Sequence, residues 1–266
     1  RREVFSVRGP SGEIRYLDEN VSALQAPDGR VAYLVGTGRD VTQPLTLQRQ
    51  LHDLAYYDPL TGLANRAHFQ ERLQHAQDQA GRRSERLAVL FMDLDRFKDI
   101  NDALGHSVGD QVIEAFARRV RAVLRAEDTL ARYGGDELVI LLERLPHPQW
   151  AGQVAQRILE ALQEPIVVAG TDFRVGVSIG IAVYPDDSTQ PEELVRHADT
   201  AMYQAKGDGG LRHRFFDAGM AEDAAERLFL TRELDKALEA DTLTVAYQPV
   251  YDCNGGELAG LEALAR

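Results

Sequence analysis

The sequence predicts an α+β fold in which helices cover both faces of a mostly antiparallel sheet. Residues 87–92 form a continuous apolar run of strand length, which indicates a central strand covered on both faces. Apolar residues then recur at helical spacing from Val112 to Leu124, which predicts an amphipathic helix. Two short strand-like runs, 129–133 and 137–142, flank Gly134-Gly135-Asp136, which is a hairpin signal. Helices and strands interleaved around a hairpin favour this layered architecture.

The segment before this domain has a different pattern. Residues 3–41 alternate strand-like runs with Gly- and Pro-containing turn signals, which predicts three antiparallel strands. Thr42 is a candidate N-cap, and Leu47, Leu51 and Leu54 recur after it at helical spacing. The predicted helix either rests on a neighbouring domain or forms the stalk of a dimer, and two heptads do not decide between these.

Further elements are predicted after the hairpin. Helical periods near 150–162 and over 191–206 alternate with strand periods over 173–184 and near 213–216. A new unit begins near residue 226, with a helix over 227–240 and a strand over 243–250. The sequence ends before this last unit has enough residues to bury a core of its own.

Size and composition limit the function classes. The 266 residues fit one complete domain with flanking fragments, and the absence of an initial Met leads us to expect a piece of a longer protein. A net charge of -12 argues against nucleic acid or an anionic membrane as the main partner. Cys253 is the only cysteine, which excludes an intramolecular disulfide and favours a reducing cytoplasm. No run approaches the ~20 apolar residues of a membrane-spanning helix.

Two pairs of carboxylates stand out as candidate metal ligands. Asp93 and Asp95 end the apolar strand, and Asp136 and Glu137 follow two glycines in the predicted hairpin. Carboxylates at the end of a buried strand are costly unless a partner compensates their desolvation. Two hard cations bound by oxygen ligands and substrate phosphates would be such a partner, as Mg²⁺ prefers. Each pair taken singly also fits a solvated turn.

A polar segment between the two pairs suggests a nucleotide. Residues 96–102 run from a loop into a helix, where backbone N–H groups and Lys98 are suited to phosphates. Asn101 and Asp110 carry the groups that would bind a guanine edge, because a carboxylate accepts from its N–H groups and an amide both donates and accepts. Either residue is equally suited to cap a helix.

Several motifs together resemble the GGDEF family of diguanylate cyclases. Their order and spacing match over about 160 residues, and the positions are Asp58-Pro59-Leu60-Thr61-Gly62-Leu63-Ala64-Asn65-Arg66, Asp93-Leu94-Asp95-Arg96-Phe97-Lys98, Asn101-Asp102, Gly105-His106, Gly109-Asp110 and Arg132-Tyr133-Gly134-Gly135-Asp136-Glu137-Leu138. Leu138 replaces the usual Phe. The resemblance implies a cyclase that joins two GTP molecules into cyclic-di-GMP across a homodimer, each domain holding one GTP.

The resemblance also implies roles for individual residues. Asp93, the Leu94 carbonyl, Asp136 and Glu137 would hold two Mg²⁺ or Mn²⁺ ions per GTP, with Asp136 and Glu137 as catalytic groups and Glu137 helping to activate the 3′-hydroxyl. The residues expected to contact GTP are Arg96, Phe97, Lys98, Asn101, Asp110, Gly134, Gly135 and Lys206.

Two further segments bear on regulation and affinity. Arg125-Ala126-Glu127-Asp128 stands at the spacing of the family's inhibitory RxxD motif, which implies that Arg125 and Asp128 bind the product cyclic-di-GMP. An ordinary helix end followed by a turn is the plainer interpretation. Gly210 and Leu211 stand where the family has Arg and Asn, so we expect weakened GTP binding.

The flanks resemble parts of other signalling domains. Residues 1–42 are similar to the C-terminal part of a PAS sensor, 43–57 to a linker helix, 58–218 to a full GGDEF domain and 219–266 to the start of an EAL phosphodiesterase. Glu262 would be a metal ligand in a complete EAL domain, and this chain alone should not hydrolyse cyclic-di-GMP. The rival hypothesis is a GTP-binding regulator of that phosphodiesterase; a purely structural module has little support.

Overall fold

The computed structural model describes residues 2–25, 27, 29–168, 170–220, 236–238, 240, 242, 244–252 and 257–265. The helices in these residues are α1 (Thr42–Tyr56), α2 (Arg66–Arg83), α3 (Phe97–Leu104), α4 (His106–Val123), α5 (Gln149–Ala161) and α6 (Pro191–Gly207). The strands are β1 (Arg2–Arg8), β2 (Ile14–Gln25), β3 (Val31–Asp40), β4 (Arg86–Asp95), β5 (Thr129–Gly134), β6 (Glu137–Leu145), β7 (Ile166–Val168), β8 (Thr171–Phe173), β9 (Gly176–Tyr184), β10 (Arg212–Phe215), β11 (Val245–Tyr251) and β12 (Leu258–Ala265).

The main sheet has five strands in the order β10-β9-β4-β6-β5. The β10–β9 pair is parallel, and the pairs β9–β4, β4–β6 and β6–β5 are antiparallel, which confirms the predicted mostly antiparallel sheet. The apolar run at 87–92 lies in β4 at the centre of this sheet. Its register sets Asp93 opposite Glu137 on one side and opposite Ser178 on the other, so both acidic pairs meet at one end of the sheet.

Helices pack on both faces of this sheet, as predicted. Alternate residues of β4 point to opposite faces, so Leu90 and Met92 join the core under α3, α4 and α5, whereas Val89 and Phe91 join the core under α2 and α6. Helix α6 lies very close to β9, because a Cβ on Gly180 would overlap backbone atoms of that helix. The helix is therefore held against the sheet at one depth.

The N-terminal strands agree with the sequence, but the helix cap does not. β1, β2 and β3 form a separate three-stranded antiparallel sheet. The N-cap of α1 is Val41, not Thr42. The Thr42 hydroxyl instead accepts a hydrogen bond from the Tyr16 N–H at 2.7 Å, so this side chain ties the helix start to β2.

Helix α1 presents its leucines to solvent. Leu47, Leu51 and Leu54 are 55%, 58% and 68% exposed, and α1 has no buried residue. The stripe is thus unpartnered within the described part of the chain. Both interpretations of this helix, the dimer stalk and the contact with another domain, require such a free apolar surface.

Other elements differ from the predicted ones in detail. The predicted strand over 173–184 is divided into β8 and β9, and β7 with β8 forms an extra hairpin that the sequence pattern did not reveal. β11 and β12 form an antiparallel pair in which Glu262 is exposed opposite Gln248. Most of the helix predicted over 227–240 lies outside the described residues. Within the described part of this range, residues 236–238 are helical. None of the helices in the described ranges has the length and apolar character needed to cross a membrane.

Candidate functional site

The Gly-Gly hairpin brings the two acidic pairs together. β5 ends at Gly134 and β6 begins at Glu137, leaving Gly135 and Asp136 as the turn. Gly135 has a φ of +47°, a conformation that glycine adopts without the penalty of a Cβ. Glu137 lies directly opposite Asp93 of β4. The turn therefore presents its carboxylates beside the end of the central strand.

A third element adds another carboxylate to this group. Asp199 of α6 faces the same region, and burial followed by repulsion from Asp93 raises its pKa. Burial and the Asp93 charge also raise the pKa of Asp136. For Glu137, burial and then the charges of Asp199, Asp93 and Asp136 raise the pKa. Like charges gathered in a half-buried site favour either protonation or a cation.

Lys206 is the cation that the chain itself supplies. Its Nζ donates to Asp93 Oδ1 at 2.5 Å. Burial lowers the pKa of Lys206, but the bond and charge of Asp93 outweigh it, with smaller effects from Asp136 and Asp95, and the net pKa is raised. A fully charged ammonium group thus lies among the carboxylates, at a place where a bound triphosphate would also contact it.

The acidic group does not form a closed metal cage. Within the described ranges, no set of three or more His, Cys, Asp or Glu side chains is arranged to hold an ion by itself. Mg²⁺ usually keeps several waters and is bound through one or two carboxylates plus substrate phosphates. Asp93, Asp136 and Glu137 fit such a shared site. Burial and then repulsion between the carboxylates raise the pKa of Asp136 and Glu137, and a divalent cation would stabilise the charged forms that both effects disfavour.

The predicted guanine residues lie on α3 and α4. Asn101 is inside α3, and its buried Oδ1 has no hydrogen-bond partner. A Cβ on Gly109 would overlap that oxygen, so only glycine leaves the amide its space. Asp110 is exposed on α4, one turn into the helix. The caps of these helices are Arg96 and Gly105, so neither Asn101 nor Asp110 acts as an N-cap and the capping alternative is wrong.

The remaining predicted contacts surround the turn from β4 into α3. Arg96 adopts a φ of +59°, which is uncommon for a side chain with a Cβ and makes the turn tight. Phe97 is 8% exposed and belongs to the core, so its predicted GTP contact would have to come from the backbone. Lys98 is exposed, and the Leu94 side chain is buried in the core.

Arg132 connects the turn after α1 to the hairpin. Its Nη1 lies 3.2 and 3.1 Å from the two carboxylate oxygens of Asp58, and its Nε donates to the Gly135 carbonyl at 2.8 Å. Asp58 also accepts from the backbone and hydroxyl of Thr61 at 2.8 and 2.7 Å. A single guanidinium thus joins the turn after α1 to the glycine beside Asp136.

The RxxD segment forms a compact loop after α4. Asp128 is 7% exposed and accepts from the Arg125 backbone N–H at 3.0 Å, and burial raises its pKa. The Arg121 Nη1 donates to the Asp128 carbonyl at 2.9 Å. The Arg125 guanidinium lies over the ring of Trp150, with its carbon 4.6 Å from the ring centroid. Asp128 therefore supports the loop, while Arg125 extends outward.

Gly210 and Leu211, which stand where the family has Arg and Asn, have a clear geometric basis. Gly210 has a φ of +71°, and a Cβ there would lie 2.5 Å from Asp95 Oδ2. The same carboxylate accepts from Leu211 N at 3.2 Å and, through Oδ1, from Ser178 Oγ at 2.7 Å. The next arginine along the chain, Arg212, donates its Nε to the Gly210 carbonyl at 3.1 Å. This segment is therefore built around Asp95 with no space for a larger residue at 210.

A cavity of about 570 Å³ opens beside the carboxylates on the α2 and α6 face. Its floor includes Phe91 and Tyr133, and its walls include Glu137, Asp199 and Arg66. The Arg66 guanidinium carbon lies 4.6 Å from the Tyr133 ring centroid. Glu137 is thus reached from the face of the sheet opposite to Asn101.

Sequence reasoning gave no role to three residues that the structure places at the two predicted sites, namely Asp199, Arg132 and Trp150. Asp199 stands seven positions before Lys206, a spacing that sets both on the same face of α6, so the pattern was available. Arg132 precedes the glycines by two residues, and no local pattern shows that it reaches Asp58. Trp150, which lies against Arg125, is far from the RxxD segment in sequence and has no short-range signal.

The family is identified by comparison with known proteins. Residues 55–212 match the family described as diguanylate cyclase, GGDEF domain. The chain is 44% identical over 82% of its length to the bifunctional diguanylate cyclase/cyclic di-GMP phosphodiesterase MucR of Pseudomonas aeruginosa, and covers 32% of that protein. It is 39% identical over 81% of its length to the cyclic di-GMP phosphodiesterase NbdA of the same species, and covers 28% of it. The chain thus spans about a third of the length of these relatives.

Solved structures give the same result. The GGDEF domain of TpbB (YfiN) from Pseudomonas aeruginosa is 41% identical with a TM-score of 0.63, and the match covers 64% of this chain and 99% of that one. The coiled coil and GGDEF domain of DgcB from Caulobacter crescentus, in complex with c-di-GMP, is 28% identical with a TM-score of 0.59, covering 66% and 93%. With more than half of its residues matched to one family, the chain belongs to the GGDEF domain family.

Proposed function

We propose that this chain is a diguanylate cyclase, which condenses two GTP molecules into cyclic-di-GMP and releases pyrophosphate. The observation that carries the proposal is the meeting of Asp93, Asp136 and Glu137 beside Lys206 at one end of the sheet. On the other face, the unpartnered Asn101 oxygen next to Gly109 supports a polar ligand such as guanine. A nucleotide lying over the sheet end would reach both groups.

The protein's contribution is mainly alignment and charge neutralisation. Asn101 and Asp110 would hold guanine, and Lys98 and Lys206 would bind phosphate oxygens. Asp93, Asp136, Glu137 and the Leu94 carbonyl would hold Mg²⁺ or Mn²⁺, two ions per GTP. Bound divalent cations supply charge stabilisation at the phosphoryl group and a lower pKa for an attacking hydroxyl. Glu137, whose pKa is raised by burial and its acidic neighbours, is suited to accept the 3′-hydroxyl proton.

The reaction requires two copies of the chain. One domain presents one set of nucleotide residues, so each 3′-hydroxyl must attack the α-phosphate held by the partner domain. The exposed leucine stripe of α1 supports a homodimer, because three large apolar side chains at helical spacing lack a partner within the described residues. Residues 43–57 then form the stalk, between a PAS part at 1–42 and the start of an EAL domain at 219–266, in a protein that works in the cytoplasm.

Regulation by product belongs to the same proposal. The Arg125 side chain is exposed and its guanidinium group is planar, which suits bidentate binding of cyclic-di-GMP. Asp128 stabilises the loop by accepting a hydrogen bond from the Arg125 backbone N–H. Product binding there would inhibit the dimer.

A second candidate function is a GTP-binding domain that regulates an adjacent EAL phosphodiesterase. The specific observation that favours it is the segment at 209–211, in which the space around Gly210 excludes the family's arginine. We expect one phosphate contact to be lost as a result. NbdA, a relative at 39% identity, is itself described as a phosphodiesterase. Glu262 would act as a metal ligand only in the complete EAL domain.

The deciding experiment incubates the chain with GTP and Mg²⁺ and measures cyclic-di-GMP and pyrophosphate. We expect product from the parent chain and from Asp172→Ala, a control at an exposed carboxylate of β8, and none from Asp136→Ala. A folded dimer that binds GTP in calorimetry but forms no product would refute the cyclase and support the regulator.

A further inference from the structure

The structure joins the predicted product site to an aromatic residue outside the family motifs. Trp150 is the only tryptophan of the chain and lies in the first turn of α5. It is partly buried and packs against the core on the α3, α4 and α5 face. The Arg125 guanidinium carbon stands 4.6 Å from the centroid of its ring, within the range of a cation–π contact.

The backbone of the Arg125 loop is fixed by hydrogen bonds, but its side chain is not. Arg125 N–H donates to Asp128 Oδ2 at 3.0 Å, and Arg121 donates to the Asp128 carbonyl. The Arg125 side chain is 46% exposed, and among the residues that the structure describes its nearest acidic atom is Glu127 Oε1 at 4.0 Å, beyond hydrogen-bond range. Contact with Trp150 is therefore the main restraint on this guanidinium.

This restraint leaves the binding groups of Arg125 available. A guanidinium is planar, has five N–H donors and stacks through its faces. When one face covers the indole, the N–H edge stays free to donate two parallel bonds to an acceptor pair such as O6 and N7 of guanine. Holding the side chain in place beforehand reduces the rotamer entropy lost when a ligand binds.

We infer that Trp150 is a positioning residue of the product site, which holds Arg125 so that its edge binds a guanine of cyclic-di-GMP. The inference rests on the proposed product inhibition and extends it to a residue on another helix. Trp150 needs no contact with the ligand in this role. Its effect is on affinity for product and on inhibition, whereas the rate at low product concentration is unchanged.

The test titrates cyclic-di-GMP into the full chain by calorimetry, with thermal unfolding to check folding. Trp150→Phe keeps a ring face, and Trp150→Leu keeps apolar bulk without one. We expect Trp150→Phe to bind within about twofold of the parent and Trp150→Leu to bind roughly two- to fivefold more weakly, the range of an exposed cation–π contact. His147→Ala is the matched control, because His147 contacts the indole at a centroid distance of 6.4 Å and should leave affinity unchanged.

Two further arms separate the parts of the inference. Arg125→Ala should lose binding at this site, and equal binding by this variant or none by the parent would overturn the product site itself. If Trp150→Leu and Trp150→Phe bind cyclic-di-GMP equally well while Arg125→Ala does not bind it, only the role of Trp150 would be overturned. Cyclic-di-AMP keeps the phosphates but replaces the O6 acceptor, so equal affinity for it would overturn guanine recognition.

The single indole gives a readout that does not depend on any Trp150 variant. Cyclic-di-GMP should change the tryptophan fluorescence of the parent chain, because the cation on the ring becomes bonded to a ligand. The change should be absent in Arg125→Ala. Saturation of the parent with no change in fluorescence would overturn the inference, even if Trp150→Leu fails to fold.

Discussion

Arg132 offers the sharpest test of how the Gly-Gly turn is held. Arg132 and Asp58 are each 16% exposed, so their ion pair is only weakly screened by water. The lysine variant Arg132→Lys keeps the charge but replaces a fork of donors with a point charge, which cannot reach both Asp58 and the Gly135 carbonyl. Losing one hydrogen bond to a charged group costs about 1.5–3 kcal/mol.

Two measurements follow from this geometry. We expect a double-mutant cycle of Asp58→Ala and Arg132→Ala to give a coupling free energy of about 2 kcal/mol, when the free energy of unfolding of each variant is measured by denaturant unfolding. The exposed pair Arg86–Asp186, at 3.1 Å with side chains 46% and 44% exposed, is the control and should give less than about 1 kcal/mol. In a cyclase assay, Arg132→Lys should lower kcat about tenfold with a smaller change in the KM for GTP, because the turn that carries Asp136 is displaced.

The coupling also has a defined pH dependence. Burial raises the pKa of Asp58, but bonds from Thr61 and the charge and bond of Arg132 outweigh it, so the pKa is lowered overall. The stabilisation is therefore complete at neutral pH and is lost as pH falls below about 4, through the lowered value. A coupling no larger than that of the Arg86–Asp186 control, together with a parental rate for Arg132→Lys, would refute the reasoning.

Three other predictions concern the segment at 209–211, the acidic group and helix α1. Gly210→Ala should lower the free energy of unfolding by about 2–5 kcal/mol in chemical denaturation, from a positive φ and a Cβ 2.5 Å from Asp95. Asp136→Asn should raise the melting temperature of the metal-free chain at neutral pH, because the native carboxyl has a raised pKa and favours folding less as pH rises through it. Leu51→Asp should shift the dimer equilibrium toward monomer in analytical ultracentrifugation and lower the specific cyclase rate, with little change in melting temperature, since Leu51 is 58% exposed.

Each of these has a control and a contrary result. Gly38→Ala has open space around it and should be nearly neutral; an equal loss in both variants would discount the clash with Asp95. The stabilising effect of Asp136→Asn should fade as pH is lowered, and a pH-independent effect would exclude the burial and repulsion of the Asp136 charge as its cause. Unchanged sedimentation of Leu51→Asp would remove α1 from the dimer interface.

Local sequence patterns were sufficient to predict the central strands of the main sheet. They were insufficient to predict contacts between segments that are distant in the sequence. The apolar run at 87–92 and the Gly-Gly turn predicted β4, β5 and β6, because buried strands and tight turns depend on neighbouring residues. Thr42 was wrongly expected to cap α1, because its hydroxyl has a competing partner in Tyr16 on another strand. From the sequence, Asn101 and Asp110 fit guanine binding and helix capping equally well. The capping role is excluded only by the bounds of α3 and α4, whose N-caps are other residues.

The candidate site shows the same division. The two acidic pairs are visible in the sequence, and strand register brings them together. The pairing of Lys206 with Asp93 joins residues 113 positions apart and depends on α6 lying across β9 and β4. No short-range period carries such information, since the contact exists only after the sheet and its helices have packed.

The close fit of α6 on β9 at Gly180 limits where control of this domain can act. A side chain at this position would lift α6 away from the sheet, and with it Asp199 and Lys206. Because packed interiors do not deform gradually, we expect β9 and α6 to behave as one rigid unit. In the proposed dimer, signals from outside would therefore act on how the two domains meet rather than on the shape of either one. In engineering terms, α1 and the contact surfaces of the proposed dimer are the adjustable parts, and position 180 is one to leave alone.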